Sequence, residues 1–263
     1  MSGIEALLLG LLQGLTEFLP VSSSGHLVMG KALFGIETQG VAFEIAVHAA
    51  TVLSIITVFR KDIGRLFKAC FAFKYNDDFR YILMLLLSML PVLVVGLFFK
   101  EQVELLFGEG LVLVGTMLLV TAMLLIIAQR APSKGLPLKY RDALVIGLAQ
   151  AIAVLPGLSR SGATISTGLL LGKERTEVVK FSFLMVLIPV LGQAFLDLMK
   201  GGFSPQASGI PAWSLLIGFV AAYLSGLAAC NWMIALVRKA KLWGFVIYCA
   251  LAGCFCLLFH FIK

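Results

Sequence analysis

Charge is what this sequence has least of. Only 13% of its 263 residues are Asp, Glu, Lys or Arg, against 60% apolar ones, and the mean hydropathy is +1.01. Such a composition excludes an ordinary soluble domain and requires a polytopic membrane protein. Long polar stretches are also missing, so the length suits one membrane domain with short loops and leaves no room for a soluble enzyme domain. The five cysteines, Cys70, Cys230, Cys249, Cys254 and Cys256, form no CxxC and no Cys/His pair spaced for a metal. They read as small apolar residues, and a disulfide framework is not expected. Residues 1–5 carry Glu5 and no basic run, so no cleaved signal peptide is expected. The net charge of +7 points to basic cytoplasmic loops and anionic lipid, not to nucleic acid.

What is present begins with six apolar segments long enough to span, at about 41–59, 81–99, 110–128, 178–199, 211–235 and 243–262. Two more apolar stretches, about 4–35 and 142–172, are broken near the middle by Pro, Gly and Ser, and neither half of either is long enough to cross. Loop charge orients the chain. Arg60, Lys61, Arg65, Lys68, Lys74 and Arg80 in one loop, Arg130, Lys134, Lys139 and Arg141 in the next, Lys173, Arg175 and Lys180, and Arg238, Lys239 and Lys241 all belong to the cytoplasm. The 100–110 loop, with Glu101, Glu104 and Glu109, and the 200–211 loop, with Lys200 alone, belong outside. Segment 142–172 therefore starts and ends at the cytoplasm, so it is not a single crossing and a re-entrant hairpin is the simplest solution; if 4–35 is its sister, it enters and leaves from the outer face. The expected fold is all-α, with six transmembrane helices plus two re-entrant hairpins. It forms a single membrane domain over 1–263, built from two inverted-topology repeats of about 1–130 and 138–263. Lys31, on the outer side, is a mild exception to the charge rule.

The repeat is also written in residues. Shifted by 137, Gln13 falls on Gln150, Gly10 on Gly147, Ser22 on Ser159, Ser24 on Ser161 and Gly25 on Gly162. Each hairpin has a half-helix ending near Pro20 or Pro156, a polar turn, and a second half-helix opened by Ser22-Ser23-Ser24-Gly25 or Ser159-Arg160-Ser161-Gly162. Serines there cap orphan N–H groups, and the positive end of each half-helix suits an anion. Arg160 adds a guanidinium fork matched to phosphate oxygens. Gln13 and Glu17, four apart on one helical face, can hold a divalent cation through oxygen. His26 is near enough to the serines to act as acid or base, and a serine between a carboxylate and a histidine is a candidate nucleophile. Together these suggest phosphoryl transfer by positioning and charge stabilisation.

Single serines in membrane helices often only bond backbone, and Gln13 alone could be interhelical glue. Glu17 resists such a reading, because a carboxylate at depth costs about 2.5–3.5 kcal/mol on insertion scales. Glu44 and His48, four apart in the first span, face either the cavity or a packing interface. Broken helices in inverted repeats are also a transporter design, so a phosphate or lipid-phosphate carrier or flippase using the same midplane site is the alternative. Such a carrier has less use for His26 and Glu17 beside a serine run. A second lipid-phosphatase class also contains an SGH string, but its downstream Arg/His/Asp signature has no match here.

The run Gln13-Gly-Leu-Thr-Glu17-Phe-Leu-Pro-Val-Ser-Ser-Ser-Gly-His26 resembles the Glu/Gln-x-x-x-Glu signature and Ser-Ser-Thr/Ser-Gly-His turn of the bacterial undecaprenyl-diphosphate phosphatase family, linked to bacitracin resistance. Pro156-Gly-Leu-Ser-Arg160-Ser-Gly-Ala-Thr164 is similar to its second signature, and order, spacing and length fit along the whole chain. The resemblance implies a multi-pass bacterial inner-membrane enzyme that hydrolyses the C55 isoprenoid diphosphate to monophosphate and phosphate, recycling the carrier for envelope glycans. It implies a divalent cation, Mg2+ or Ca2+, held by Glu17 and Gln13, and leaves room for a homodimer. By position it makes Glu17, Ser23, His26 and Arg160 catalytic. Gln13, Ser22, Ser24, Gly25, Ser159, Ser161, Gly162 and Thr164 would bind substrate. The first signature position is Gln13 here, which puts a two-carboxylate metal site in question. Ser24 stands where Thr is usual and keeps the hydroxyl.

Overall fold

The computed structural model describes residues 1–35, 42–72, 74–107, 110–132, 134–199, 209–239 and 241–262. Glu109 and Lys200, counted above in the outer loops, lie outside them. Among the described residues every extended element is a helix: α1 (Gly3–Phe18), α2 (Ser23–Phe34), α3 (Ala42–Val58), α4 (Arg60–Phe71), α5 (Asp77–Phe98), α6 (Lys100–Phe107), α7 (Gly110–Arg130), α8 (Tyr140–Ile152), α9 (Arg160–Leu170), α10 (Arg175–Leu184), α11 (Leu187–Met199), α12 (Ala212–Arg238) and α13 (Trp243–Ile262).

Among the described residues five stretches are long and apolar enough to cross a bilayer: Asp77–Phe98, Gly110–Arg130, Arg175–Leu196, Ala212–Arg238 and Trp243–His260. A sixth is counted only if the bent pair of α3 and α4, which turns by 84° at Phe59, is taken as one span. The chain is thus an all-helical, multi-pass membrane protein. Exposed Leu, Ile, Phe and Trp side chains along α5, α12 and α13 form the lipid-facing surface that such a protein needs. The sequence reading left Arg60–Phe71 as loop, and the structure makes it helix. Charge at Arg60, Lys61, Asp62, Arg65 and Lys68 hides it from a hydropathy scan. Leu66 and Ala69 nonetheless face the core while Phe67 and Phe71 stand exposed, the pattern of a helix lying at a membrane surface. Residues 100–107 likewise form α6 rather than a loop.

The two broken stretches are helix pairs. In the first, α1 ends at Phe18 and α2 starts at Ser23, then returns along α1. In the second, α8 ends at Ile152 and α9 starts at Arg160. That pair comes back to where it began: Lys173, just past α9, reaches Asp142 in the first turn of α8 at 2.6 Å. Asp142 also accepts the Lys139 N–H at 2.9 Å, and Lys173 donates to the Pro137 carbonyl at 3.2 Å. This buried ion pair has hydrogen bonds around it, the condition under which such a pair is tolerated.

Packing of the two hairpins is crossed. α1 lies against α12 in the second half of the chain, and α8 lies against α5 in the first. The matching residues Gly10 and Gly147 make both contacts close. A Cβ on Gly10 would stand 2.3 Å from the Gly218 carbonyl oxygen, and one on Gly147 would stand 2.3 Å from that of Ser88. Only glycine lets helix backbones approach so nearly. The main apolar core gathers Phe18, Ile55, Leu118, Leu125, Ile165, Phe183 and Met233, so it joins both hairpins to the spans around them.

Candidate active site

Glu17 is where the two hairpins meet. On α1, Gln13 and Glu17 share a face, and Gln13 Nε2 donates to Glu17 Oε2 at 2.9 Å. At the first residue of α2, Ser23 Oγ donates to the same oxygen at 2.6 Å. From the other hairpin, Arg160 Nη2 donates to Glu17 Oε1 at 2.7 Å, and Nη1 donates to the Ser182 carbonyl at 3.1 Å. From α3, His48 Nε2 stands 3.6 Å from Glu17 Oε2. Four helices thus converge on one carboxylate. The charge-assisted bonds from Arg160 and Ser23 offset the cost of keeping it out of water.

Both half-helix starts are capped alike. Ser22 Oγ accepts the Gly25 N–H at 3.3 Å, and Ser159 Oγ accepts the Gly162 N–H at 3.0 Å. The Ser22 and Ser24 hydroxyls are 3.4 Å apart, those of Ser159 and Ser161 3.3 Å. Helix N-termini leave further first-turn N–H groups without intrahelical acceptors, so each is an anion-binding end. Ser161 Oγ also donates to the Leu19 carbonyl at 3.0 Å, which pins the second hairpin to the tip of the first. Thr164 is used for bracing: its hydroxyl meets Ser182 Oγ at 2.6 Å and donates to the Arg160 carbonyl at 2.8 Å. Ser182 therefore holds Arg160 from one side and Thr164 from the other.

Ser22 has φ 69°, the one positive φ at a non-glycine among the described residues. A left-handed residue other than glycine costs about 1–2 kcal/mol. His26 helps hold it there, with Nδ1 2.7 Å from the Ser22 carbonyl oxygen and Nε2 2.6 Å from Tyr248 Oη. Nδ1–H therefore donates to the carbonyl, and Nε2 accepts from the Tyr248 hydroxyl. Gln13, Glu17, Ser23 and Arg160 are brought together directly, and Ser22, Ser24, Gly25, Ser159, Ser161 and Gly162 build the two turns. His26 is buried behind the first turn with both ring nitrogens engaged there.

The sequence reading did not single out Tyr248, Ser182 or Thr121, whose Oγ1 accepts the Ser159 N–H at 3.1 Å. All three lie in apolar spans far from the motifs, and single hydroxyls there carry no sequence signal. His48 was left between cavity and packing, and its ring faces Glu17. Lys31, the outer-side cation, is paired with Glu44.

The donor set fits a divalent cation of the kind expected at Glu17 and Gln13. Gln13 is fully buried, yet its Oε1 has no hydrogen-bond partner. A buried acceptor without a donor, beside a carboxylate, is suited to a cation. Among the described residues no three His, Cys, Asp or Glu side chains form a metal-sized cluster, so remaining ligands would come from an amide and from substrate oxygens. Mg2+ is commonly held this way, by one or two carboxylates plus phosphate.

Comparison with known proteins adds an independent finding. A family model described as bacitracin resistance protein BacA matches residues 6–255. An undecaprenyl-diphosphatase of Parabacteroides distasonis is 54% identical over 256 residues, covering 96% of each chain. That of Bacteroides thetaiotaomicron is 53% identical over 258 residues, 96% of this chain and 97% of the relative. That of Christiangramia forsetii is 48% identical over 262 residues, 98% of both.

Proposed function

The chain belongs to the bacitracin resistance protein BacA family, and from that premise we propose how its residues divide the work. The enzyme hydrolyses undecaprenyl diphosphate to undecaprenyl phosphate and inorganic phosphate, which returns the lipid carrier to cell-wall synthesis and underlies bacitracin resistance. The observation that carries the residue assignment is the triple contact of Glu17 with Ser23, Arg160 and Gln13 across the two hairpins.

In this reading the terminal phosphoryl group sits between the N-termini of α2 and α9. Arg160 spends one N–H on Glu17 and one on Ser182, and its remaining donors meet non-bridging phosphoryl oxygens. Ser23 Oγ attacks the terminal phosphorus while Glu17 Oε2, already 2.6 Å away, takes its proton. The bond from that phosphorus to the bridging oxygen breaks, and its electron pair leaves with undecaprenyl phosphate. Water then attacks the phosphoserine, and Glu17 returns the proton to Oγ. Of the two water protons, one stays on the released phosphate and the other goes to solvent. A divalent cation, Mg2+ or Ca2+, held by Glu17 and Gln13, would neutralise diphosphate charge when bound. His26 keeps the Ser22 turn in shape so that Ser23 faces phosphorus. Inverted repeats, which the crossed packing of α1 on α12 and α8 on α5 supports, would bring the half-helix ends to the midplane of the inner membrane. A homodimer is compatible with this site, which one chain completes.

The test is phosphate release from a long-chain prenyl diphosphate by purified protein in detergent, with and without EDTA, for wild type, Ser23→Ala and Arg160→Ala. Metal-dependent release that collapses in both variants fits the proposal. Full release by Ser23→Ala would remove Ser23 as nucleophile and leave Glu17 to activate water directly.

A further inference from the structure

We propose that His48 is a further ligand of the divalent cation, through Nε2. The inference rests on the cation reading above and deepens it.

Three donor atoms carry it. Glu17 Oε2 and His48 Nε2 are 3.6 Å apart. Metal–nitrogen and metal–oxygen bonds of about 2.0–2.2 Å let one ion reach both atoms. Gln13 Nε2 bonds the same Glu17 oxygen at 2.9 Å, which keeps the unpartnered Gln13 Oε1 beside it. The third argument is the way His48 is held. Its Nδ1 stands 2.7 Å from the Glu44 carbonyl oxygen, so Nδ1–H donates there and the Nε2 lone pair is left toward Glu17. Metal-ligating histidines characteristically give their other N–H to a backbone carbonyl or carboxylate, which fixes tautomer and ring direction. Behind this contact the Glu44 side chain is fixed by its ion pair with Lys31.

His26 provides the internal contrast. It has the same Nδ1 arrangement, but its Nε2 is taken by the Tyr248 hydroxyl at 2.6 Å, so it has no lone pair for a metal. With Gln13 in the first position of the Glu/Gln-x-x-x-Glu signature, the site has the single carboxylate of Glu17, and the His48 imidazole offers a nitrogen beside it. Imidazole is a poor ligand for Ca2+ and Mg2+ and a good one for first-row transition ions. The cation would sit on one amide oxygen, one carboxylate and one imidazole, with substrate oxygens completing the shell, and Mn2+ is the ion on which the imidazole can be read.

The test uses Mn2+ itself as probe on the intact protein in detergent after EDTA treatment and dialysis. Electron spin-echo modulation should show a directly coordinated imidazole nitrogen in wild type and in His26→Gln. It should vanish in His48→Gln, with Mn2+ affinity down by about tenfold or more. Circular dichroism and melting of His48→Gln check that the helices persist. Bound Mn2+ with no nitrogen coupling in wild type would overturn the role of His48 while leaving a cation at Glu17. No Mn2+ binding at all, together with EDTA-insensitive phosphate release, would overturn the cation reading itself.

Discussion

The two hairpins have the same frame and different chemistry. Both open their second half-helix with a serine cap and a second serine 3.3–3.4 Å away. Both carry a glycine that brings the first half-helix within backbone contact of a distant helix. Under the 137-residue shift, however, Glu17 falls on Val154, Ser23 on Arg160 and His26 on Ala163. The matched glutamines differ as well: Gln13 is bonded to Glu17, whereas neither amide atom of the buried Gln150 has a partner. Frame residues are shared because each hairpin must solve one problem, ending one helix and starting the next across a short turn. In the proposed reaction the remaining residues differ because a phosphoryl group needs an acid-base group on one side and a fixed positive charge on the other.

That division can be broken or sharpened by mutating matched positions. The largest effect is expected at Glu17. Glu17→Gln should lower kcat/KM by about 10²–10⁴-fold, as removal of a proton acceptor does, and should also lower Tm, because it leaves Arg160 largely buried without its counter-charge. Val154→Leu, at the matched position, should leave turnover close to wild type. Next is Arg160→Lys, which keeps the charge but loses the fork to Glu17 and Ser182; kcat should fall about 10²–10³-fold.

Third are the glutamines. Gln13→Leu should weaken metal-dependent turnover, whereas Gln150→Leu should leave activity unchanged. By removing two unsatisfied buried atoms it should hold or raise stability, each such atom costing about 1–3 kcal/mol. Equal losses of activity in the two variants would contradict the asymmetry.

The frame should respond evenly. Gly10→Ala and Gly147→Ala should each cost about 1–3 kcal/mol by overpacking, read as similar drops in Tm. Smallest are the caps: Ser22→Ala and Ser159→Ala should each lose about 1 kcal/mol. Ser22→Ala should lose somewhat more, because Ser22 also holds a positive φ.

Much of this was legible in the sequence, for physical reasons. Six spans and two interrupted helices follow from hydropathy and Pro/Gly breaks; among the described residues the structure has five such spans, the sixth as the bent pair of α3 and α4, and both interrupted helices. The residues meeting at Glu17 were legible because ionisable groups at membrane depth are rare. α4 escaped because charge on one face cancels the hydropathy of the other. His48 stays undecided between cavity and packing in the sequence because α3 is apolar on nearly every side, so periodicity cannot say which face meets the site. Tyr248 and Ser182 escaped because their partners lie 222 and 22 residues away, His26 for Tyr248 and Arg160 for Ser182. Such pairings arise only when the hairpins dock.

The central claim is that Glu17 and Arg160 act as one unit across the two hairpins. A double-mutant cycle on kcat/KM with Glu17→Gln, Arg160→Ala and the double variant tests it most directly. If the two act together, the double variant is no slower than the slower single variant, as happens when residues of one catalytic unit are removed in turn. Losses that multiply would mean that the two residues act independently, and the paired site would be contradicted.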